Sequence, residues 1–385
     1  MPKWVYHIPK ATGLRTNPIV YNGVMYVTNS NEIQALDARS GSLIWQYKDT
    51  RSKKDAVNRG AAILGDRVFF VTADIQLTAL DRQTGALLWQ KKYGNIEDGL
   101  FATAAPLVLK DQVLVGVAGG DTGMRGYIAS FSPSTGEELW RTYTIPQKNE
   151  PGWETWGKLI DYGGGATWLS GTFDPDLNTL YWTTGNPWPD FFGVDRGGDN
   201  LYSGSLLALD AKTGKIKWHF QFTPHDTHDW DAQSWPVLVD LPYGGKMRKL
   251  VLHANRNGFL YVLDRVTGEY LNATPLVEKL DWAKGIDAHG RPILVPGKDP
   301  TPTGNRVCPS VRGATNWMSP SFDSATGLFY VMTNNATYTR ARLWIRSRKR
   351  TSPEGAPDPN RRKSASSLSV HMTPGTARKN GNIRW

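Results

Sequence analysis

One phrase of about eleven residues recurs along the chain, and it constrains the fold more than any other feature of the sequence. Its copies are ALDARSGSLIW at 35–45, ALDRQTGALLW at 79–89, SFSPSTGEELW at 130–140, ALDAKTGKIKW at 208–218, the weaker VLDRVTGEYL from Val262 and, for the turn alone, FDSATGLFY from Phe322. The complete copies share an Asp (Ser in one copy), then Ser or Thr followed by Gly, and a closing Trp. Asp and Gly favour a tight turn, so each copy predicts two antiparallel strands joined by that turn.

A second hairpin pattern precedes several copies of the phrase. It reads IVYNGVMYVT at 19–28 and AILGDRVFFVT at 62–72. Two consecutive hairpins make a four-stranded sheet, and the first two phrases place Trp45 and Trp89 44 residues apart. That period matches a β-propeller blade of roughly 40–50 residues. We predict an all-β chain that forms a β-propeller of four-stranded blades, about five to six in number. An irregular β-sandwich is the alternative, and it does not explain a repeated turn phrase.

The excess positive charge is confined to the C-terminal segment. The sequence has 45 Lys and Arg against 35 Asp and Glu, a formal net charge of +10. Residues 340–385 hold 12 of the basic and 2 of the acidic residues, which leaves 33 of each sign in 1–339. We predict a propeller domain over 1–339 and a basic, disordered tail over 340–385, a pattern that a frameshift would produce. Nucleic-acid binding by the tail rests on charge alone, so no nucleic acid is expected as a partner.

Cysteine content and hydropathy exclude several classes of protein. The single cysteine, Cys308, excludes an intrachain disulfide, a CxxCH haem attachment and a Cys-based zinc site. No apolar run reaches the roughly 18 residues of a membrane span. The residues before Trp4 do not form a signal peptide. From these features alone, the chain is expected to be soluble and not exported.

The segment from Asp161 to Asp231 carries the residues most suited to chemistry. Its motifs are GGGATW at 163–168, TGNPWPD at 184–190, RGGDN at 196–200 and TPHDTHDWD at 223–231. One interpretation is a polar turn whose side chains cap their own backbone. The other is a site for a hard cation, in which Asp229 and Asp231 point the same way from an extended segment and offer oxygen ligands. Zinc is weakly supported, because no HxxxH or HExxH helix accompanies the histidines.

These motifs, together with the repeats and NRNG at 255–258, resemble the pyrroloquinoline-quinone (PQQ)-dependent alcohol dehydrogenases. That quinoprotein family includes the methanol and ethanol dehydrogenases. The likeness runs in consistent order from Trp4 to Tyr338, and the combination of motifs is more specific than any one of them. The family fold is an eight-bladed propeller, so the resemblance implies that this sequence encodes an incomplete ring.

The resemblance implies a cofactor site. In that family PQQ lies in the central funnel of the propeller, stacked on a tryptophan, and one of its carbonyls coordinates a metal ion. Trp168 of GGGATW matches the stacking residue. Arg59, Thr103 and Asn316 match positions that hydrogen-bond the cofactor. Lys53-Lys54 stand where the family has an adjacent cysteine pair, so that disulfide is absent here.

The resemblance also implies a metal site and a catalytic pair. The positions that match metal ligands are Asp121, Asn186, Asp229 and Asp231. Asp121 stands where the family usually has a longer Glu. Asp229 also matches the general base, and Arg256 matches the cation beside the quinone carbonyls. Asp231 resembles the additional carboxylate of the lanthanide-using branch, which leaves Ca²⁺ and a lanthanide ion both open.

The function implied by the resemblance is oxidation of an alcohol to an aldehyde, by hydride transfer to metal-bound PQQ with an Asp as general base. Periplasmic location and a cytochrome c electron acceptor are implied in the same way. Two alternatives stay open: a non-catalytic propeller that acts as a binding scaffold, and an inactive truncated copy of the enzyme. The sequence does not identify the alcohol.

Overall fold

The computed structural model describes most of the chain. The described residues are 1–9, 11, 13–52, 55–157, 163–191, 193–334, 339–341 and 367–372. Lys53 and Lys54 lie outside them, so what replaces the cysteine pair stays open. Of the predicted tail, only 340–341 and 367–372 are described, and these lie in strands. The prediction of a disordered tail therefore stays a prediction.

The chain forms two compact units. The first contains Met1–Gly119, Gly126–Tyr143 and Ala166–Ser170, and the second contains Gly120–Arg125, Thr144–Gly165 and Gly171–Trp385. The helices of the described residues are three short 3₁₀ segments, Ile96–Asp98, Gly120–Thr122 and Trp153–Trp156. None of the helices in this described part has the length and hydropathy that crossing a bilayer requires.

The first unit contains three four-stranded antiparallel sheets, each with its strands in chain order. Their strands are β1 (Ile19–Tyr21), β2 (Val24–Asn29), β3 (Glu32–Asp37), β4 (Leu43–Lys48), β5 (Ala62–Leu64), β6 (Arg67–Thr72), β7 (Gln76–Asp81), β8 (Leu87–Lys92), β9 (Leu107–Val108), β10 (Val113–Gly116), β11 (Tyr127–Phe131) and β12 (Glu138–Tyr143). The first two sheets share a core that includes Tyr26, Ile33, Val68 and Phe70.

The second unit contains two further four-stranded sheets, a three-stranded sheet and smaller pairs. Its strands are β13 (Gly163–Gly164), β14 (Thr172–Asp174), β15 (Thr179–Thr183), β16 (Pro187–Trp188), β17 (Ser205–Asp210), β18 (Ile216–Gln221), β19 (Val237–Tyr243), β20 (Lys246–Ala254), β21 (Phe259–Asp264), β22 (Tyr270–Pro275), β23 (Ala283–Ile286), β24 (Pro292–Leu294), β25 (Asn305–Val307), β26 (Ser321–Asp323), β27 (Leu328–Asn334), β28 (Thr339–Ala341) and β29 (Ser367–Met372). The four-stranded sheets are β14-β15-β17-β18 and β19-β20-β21-β22, and the three-stranded sheet is β26-β27-β29. The two units thus confirm the predicted all-β class and the four-stranded sheets.

The recurring phrase forms the turn between the third and fourth strands of each four-stranded sheet, and its partial copy from Phe322 forms the turn between β26 and β27. In the second sheet, Asp81 Oδ1 accepts the backbone N–H groups of Gln83 and Thr84 at 3.0 and 2.8 Å. The N–H of Gly85 donates to the Asp81 carbonyl at 2.9 Å. Asp37, Asp210 and Asp264 make the same pair of side-chain contacts in their own turns. The Asp of the phrase therefore closes the turn, as its sequence predicts.

The Trp of the phrase packs on the turn of the next sheet. Trp45 Nε1 donates to the Arg82 carbonyl at 3.1 Å. Its ring lies over Gly85, where a Cβ atom would stand 2.7 Å from the indole. The same packing joins Trp4 to Gly41, Trp89 to Gly136 and Trp218 to Gly268. Trp45, Trp89 and Trp218 of the phrase, and Trp4 before its first copy, therefore each lie against the glycine of a following turn.

Gly85→Ala is expected to destabilise the chain by about 2–5 kcal/mol. The backbone φ of Gly85 is +73°, which costs an L-residue about 1–2 kcal/mol, and the added methyl would displace the Trp45 indole at about 1–3 kcal/mol. Gly65 is a matched control, since its φ is +59° but nothing lies within 4 Å of its Cβ position. Urea denaturation should therefore show a clearly smaller loss for Gly65→Ala. Equal losses for the two variants would contradict the role of tryptophan docking.

Candidate functional site

Four carboxylates come together in the second unit, and we call them the acidic cluster: Asp121, Asp190, Asp229 and Asp231. Asp121 lies in the 3₁₀ helix Gly120–Thr122, and Asp190 follows β16, which packs against that helix. Asp229 and Asp231 lie in the loop between β18 and β19. Residues up to 110 positions apart in the sequence are thereby gathered in one place.

Asn186 connects two members of the acidic cluster. Its backbone N–H donates to Asp231 Oδ1 at 2.7 Å, and its side-chain amide hydrogen-bonds the Asp121 carboxylate. The residue is 2% exposed and stands between β15 and β16, in the TGNP motif. A buried carboxamide of this kind offers a carbonyl oxygen as well as its N–H donors.

Arg256 is the cation in contact with the acidic cluster. It follows β20, and its Nη1 donates to Asp231 Oδ2 at 2.5 Å. Its Nη2 lies 3.8 Å from Asp229 Oδ2 and also donates to the Val311 carbonyl. Arg256 is 6% exposed, so one buried guanidinium faces two carboxylates that are two residues apart.

Burial and mutual repulsion raise the pKa values of three members of the acidic cluster, Asp121, Asp190 and Asp229. Burial is the main cause at Asp229, whose pKa lies well above the ordinary value; Arg256 opposes the shift, and Asp121, Asp231 and Asp190 add to it. Burial also raises the pKa of Asp190 well above its ordinary range, with Asp121 as the next cause. At Asp121 the causes of the raised pKa are burial and then Asp231. The cluster holds more negative charge than its surroundings stabilise.

The donor set suits a hard cation in chemistry and in charge. Carboxylate and amide oxygens are the ligands that Ca²⁺ prefers. Two guanidinium groups act on the four carboxylates, Arg256 at Asp229 and Asp231 and Arg196 at Asp190, which leaves negative charge in excess. Among the described residues, however, no three His, Cys, Asp or Glu side chains lie close enough together to hold one ion. Binding a cation would have to draw the carboxylates closer.

The backbone at Asp229 differs from the prediction. The extended segment expected from alternating carboxylates is wrong at this residue, because its φ of +59° lies in the left-handed region. Local bonding to Asp226, on which His228 N–H and Trp230 N–H converge, gives the loop its shape. A non-glycine residue in this region is uncommon and persists where its surroundings hold it.

The histidines of TPHDTHDWD join their loop to other segments of the second unit. His225 Nδ1 is 2.7 Å from the Gly198 carbonyl, and His228 Nε2 is 3.1 Å from the Lys298 carbonyl. The His228 ring also stacks on Trp230, with centroids 4.3 Å apart. The polar-turn interpretation therefore describes Asp226, whose carboxylate accepts backbone N–H groups of its own loop, whereas Asp229 and Asp231 belong to the acidic cluster.

Three of the predicted cofactor residues lie together in the first unit. The Arg59 guanidinium lies over the Trp168 ring, with Cζ 4.7 Å from its centroid. Arg59 Nη1 donates to the Thr103 carbonyl at 3.4 Å, and Thr103 Oγ1 donates to the Trp168 carbonyl at 3.1 Å. The arrangement joins residues from three distant parts of the sequence.

This group suits an aromatic anion. Burial and then repulsion from Arg15 lower the pKa of Arg59 to about 10, so a negative group brought beside it would be stabilised. Trp168 is half-buried, which leaves part of its indole accessible for stacking. A planar molecule with carboxylate groups, which is the chemistry of PQQ, fits these residues.

Asn316, the fourth predicted cofactor residue, lies in the second unit. Its side-chain amide donates to the Arg312 carbonyl at 2.9 Å, and its Oδ1 accepts the Trp317 N–H at 2.8 Å. The loop packs on Arg256, since the Ala314 N–H donates to the Arg256 carbonyl at 2.9 Å. Asn316 thus shapes a loop beside Arg256, and its described hydrogen bonds stay within that loop.

The sequence interpretation missed Asp190. It lies at the end of TGNPWPD, where no role was assigned to it. The structure places it in the acidic cluster, and its Oδ1 is buried without a hydrogen-bond partner among the described residues. An Asp that ends a buried, proline-rich segment was the available signal, but turns use Asp there as well.

Comparison with known proteins places the chain in a family. A profile of the PQQ family, described as "Glucose/ethanol/alcohol dehydrogenase, beta-propeller domain", matches residues 4–279. This match confirms the β-propeller that the recurring phrase predicts. The chain is 40% identical over 366 residues to the quinoprotein alcohol dehydrogenase PedH of Pseudomonas putida, covering 86% of this chain and 61% of that protein.

Two further relatives agree with that match. The lanthanide-dependent methanol dehydrogenase of Methylacidiphilum fumariolicum is 36% identical over 385 residues, covering 89% of this chain and 63% of that protein. The crystal structure of the quinohemoprotein alcohol dehydrogenase from Comamonas testosteroni aligns with a TM-score of 0.79 at 36% identity. That alignment covers 85% of this chain and 52% of the other. The chain therefore spans between half and two thirds of the length of these relatives.

Proposed function

Because the chain belongs to the PQQ-dependent dehydrogenase family, we propose that it serves the oxidation of an alcohol to an aldehyde with PQQ and a bound cation. The observation that carries the proposal is the acidic cluster with Arg256 inside it. A buried base beside a fixed cation is what proton removal from an alcohol requires. A binding scaffold has no need to gather four carboxylates in one place.

The residues of the second unit that would hold the cation are Asp121, Asn186, Asp229 and Asp231. They offer carboxylate and carbonyl oxygens, and the excess negative charge of the acidic cluster favours a cation of high charge. One relative is named as a lanthanide-dependent methanol dehydrogenase, and a lanthanide or Ca²⁺ is accordingly proposed here. Asp190 adds to the negative charge around these donors.

Asp229 is proposed as the general base. Its raised pKa makes the carboxylate a stronger proton acceptor than an exposed Asp. The alcohol hydroxyl proton would pass to a carboxylate oxygen of Asp229 as the C–H bond breaks. Arg256, 3.8 Å away, holds that carboxylate ionised and in place until the proton arrives.

The residues of the first unit that would hold PQQ are Trp168, Arg59 and Thr103. Bound PQQ supplies the hydride acceptor, a chemistry that amino-acid side chains lack. Trp168 would bind the planar cofactor by stacking, and Arg59 would neutralise one of its carboxylates. Thr103 Oγ1 is the polar group that would fix its orientation.

The proposal extends to location and partners. We propose a periplasmic protein that passes electrons to a cytochrome c, as the resemblance implies. The relative whose structure aligns is a quinohemoprotein, whereas the 385-residue sequence contains one cysteine and no CxxCH motif. Electron transfer would therefore run to haem outside these 385 residues. The substrate class is a small alcohol.

Equilibrium binding of PQQ tests the proposal against a scaffold. PQQ is titrated into the purified chain by absorbance, with La³⁺ or Ca²⁺ present and absent. We expect saturable binding that the cation strengthens, and about 10-fold weaker binding by Trp168→Ala because stacking is lost. Trp140→Ala, outside these groups, should bind PQQ as the wild type does. A chain that binds no PQQ would favour the scaffold.

A further inference from the structure

One buried carboxylate binds the backbone on both sides of Asp229. Asp226 Oδ1 accepts the N–H of His228 at 2.8 Å, and Asp226 Oδ2 accepts the N–H of Trp230 at 2.7 Å. Asp226 is 1% exposed. Both of its oxygens are thus used on the two residues that flank Asp229.

The Asp226 backbone is itself fixed. The fully buried Arg196 donates from Nη2 to the Asp226 carbonyl at 2.6 Å, and its Nε donates to the Pro189 carbonyl at 3.1 Å. Its Nη1 donates to Asn200 Oδ1. Arg196 therefore ties the loop to neighbouring segments of the same unit.

The side chains on either side of Asp229 are held as well. Trp230 Nε1 donates to the Ser310 carbonyl at 2.9 Å, and His228 stacks on the Trp230 ring. With both neighbours fixed, the left-handed φ of Asp229 follows from the loop around it. The Asp229 carboxylate is then directed to Arg256 rather than being free to turn.

We propose that Asp226 is a positioning residue for Asp229: its two carboxylate oxygens clamp the His228 and Trp230 amides and thereby set the direction of the Asp229 side chain. The proposal rests on the proposed function of Asp229 as the base. This role requires that both carboxylate oxygens of Asp226 act as acceptors, because the His228 and Trp230 backbone groups that they contact are both N–H donors. Asparagine provides one acceptor oxygen and sets its own NH₂ against the second donor.

The test compares the full chain with its Asp226→Asn variant by hydrogen–deuterium exchange of peptides covering 223–235. We expect one or both clamped amides to exchange about 10-fold faster in the variant, because an acceptor is lost. Asp174→Asn is the matched control, since Asp174 is also buried in the second unit and accepts two backbone N–H groups. It should leave exchange over 223–235 unchanged. Unchanged exchange in Asp226→Asn would overturn the clamp.

A kinetic comparison then tests the positioning role. In the PQQ- and cation-loaded protein, Asp226→Asn should lower kcat about 10-fold or more with KM for the alcohol nearly unchanged, because a misplaced base affects the chemical step. Asp174→Asn should keep wild-type kcat. Faster exchange together with an unchanged kcat would overturn the positioning role. If the wild type shows no turnover, the proposed function fails, while the exchange comparison still tests the clamp.

A folding failure of Asp226→Asn would not leave the clamp undecided. The wild-type chain can be examined alone, at residue resolution. We expect the His228 and Trp230 amides to exchange at least about 10-fold more slowly than amides of an unstructured chain. Exchange of these two amides at the unstructured rate would overturn the proposal.

Discussion

Asp229→Asn is expected to lower kcat for dye-linked alcohol oxidation by about 10²–10⁴-fold in the PQQ- and cation-loaded protein. Asparagine matches Asp in shape but cannot take the hydroxyl proton. The wild-type rate should also fall as the pH falls through the pKa of Asp229, since a base must be ionised and burial raises that pKa. The variant should lack this dependence.

The control for this experiment separates chemistry from binding. Asp199→Asn removes another carboxylate of the same unit, one paired with Arg291 and outside the acidic cluster, and should keep wild-type kcat. Absorbance titration should show that Asp229→Asn still binds PQQ. Wild-type turnover by Asp229→Asn would remove Asp229 as the base, and loss of PQQ binding would point to a structural effect instead.

Arg256→Met is expected to lower the free energy of unfolding by about 3–5 kcal/mol at neutral pH, because buried carboxylates lose their countercharge. The pKa values of Asp121, Asp190 and Asp229 are already raised, and removing Arg256 would raise those of Asp121 and Asp229 further. A carboxyl group whose pKa is higher in the folded state than its ordinary value of 3.8 destabilises the folded state as the pH rises above 3.8. The loss should therefore shrink at acidic pH.

Rescue by a cation distinguishes this effect from a general loss of packing. La³⁺ should restore much of the stability of Arg256→Met, since it would take the place of the missing positive charge. Arg265→Met is the matched control, because Arg265 is also buried and pairs with Asp174 and Asp240 away from the acidic cluster. Urea denaturation should show no rescue of that control. Equal rescue of both variants, or of neither, would contradict a cation site at the acidic cluster.

The fold could be predicted because its signal is local and repeated. The Asp–Gly turn closes with hydrogen bonds inside one phrase, and Trp45 contacts a glycine 40 residues further along the sequence. The same contacts recur in both units. A pattern that repeats about every 45 residues can be recognised in the sequence without knowledge of the rest of the molecule.

The site was predicted less completely, for physical reasons. Asp121 and Asp229 are 108 residues apart, and only a resemblance linked them before the structure brought them together. The left-handed backbone of Asp229 depends on Asp226, whose role is a set of hydrogen bonds that residue spacing does not encode. Asp190 was missed because an Asp beside Pro is usual in exposed turns. Arg59 and Trp168 were paired by resemblance, while their cation–π contact is a finding of the structure.

Alcohol oxidation by the purified chain, followed with an electron-accepting dye, tests the central claim most directly. PQQ and La³⁺ or Ca²⁺ are added together and separately, with alcohol present and absent. We expect turnover only when PQQ, the cation and the alcohol are all present. Saturable PQQ binding without any turnover under these conditions, or turnover that needs no PQQ, would contradict it.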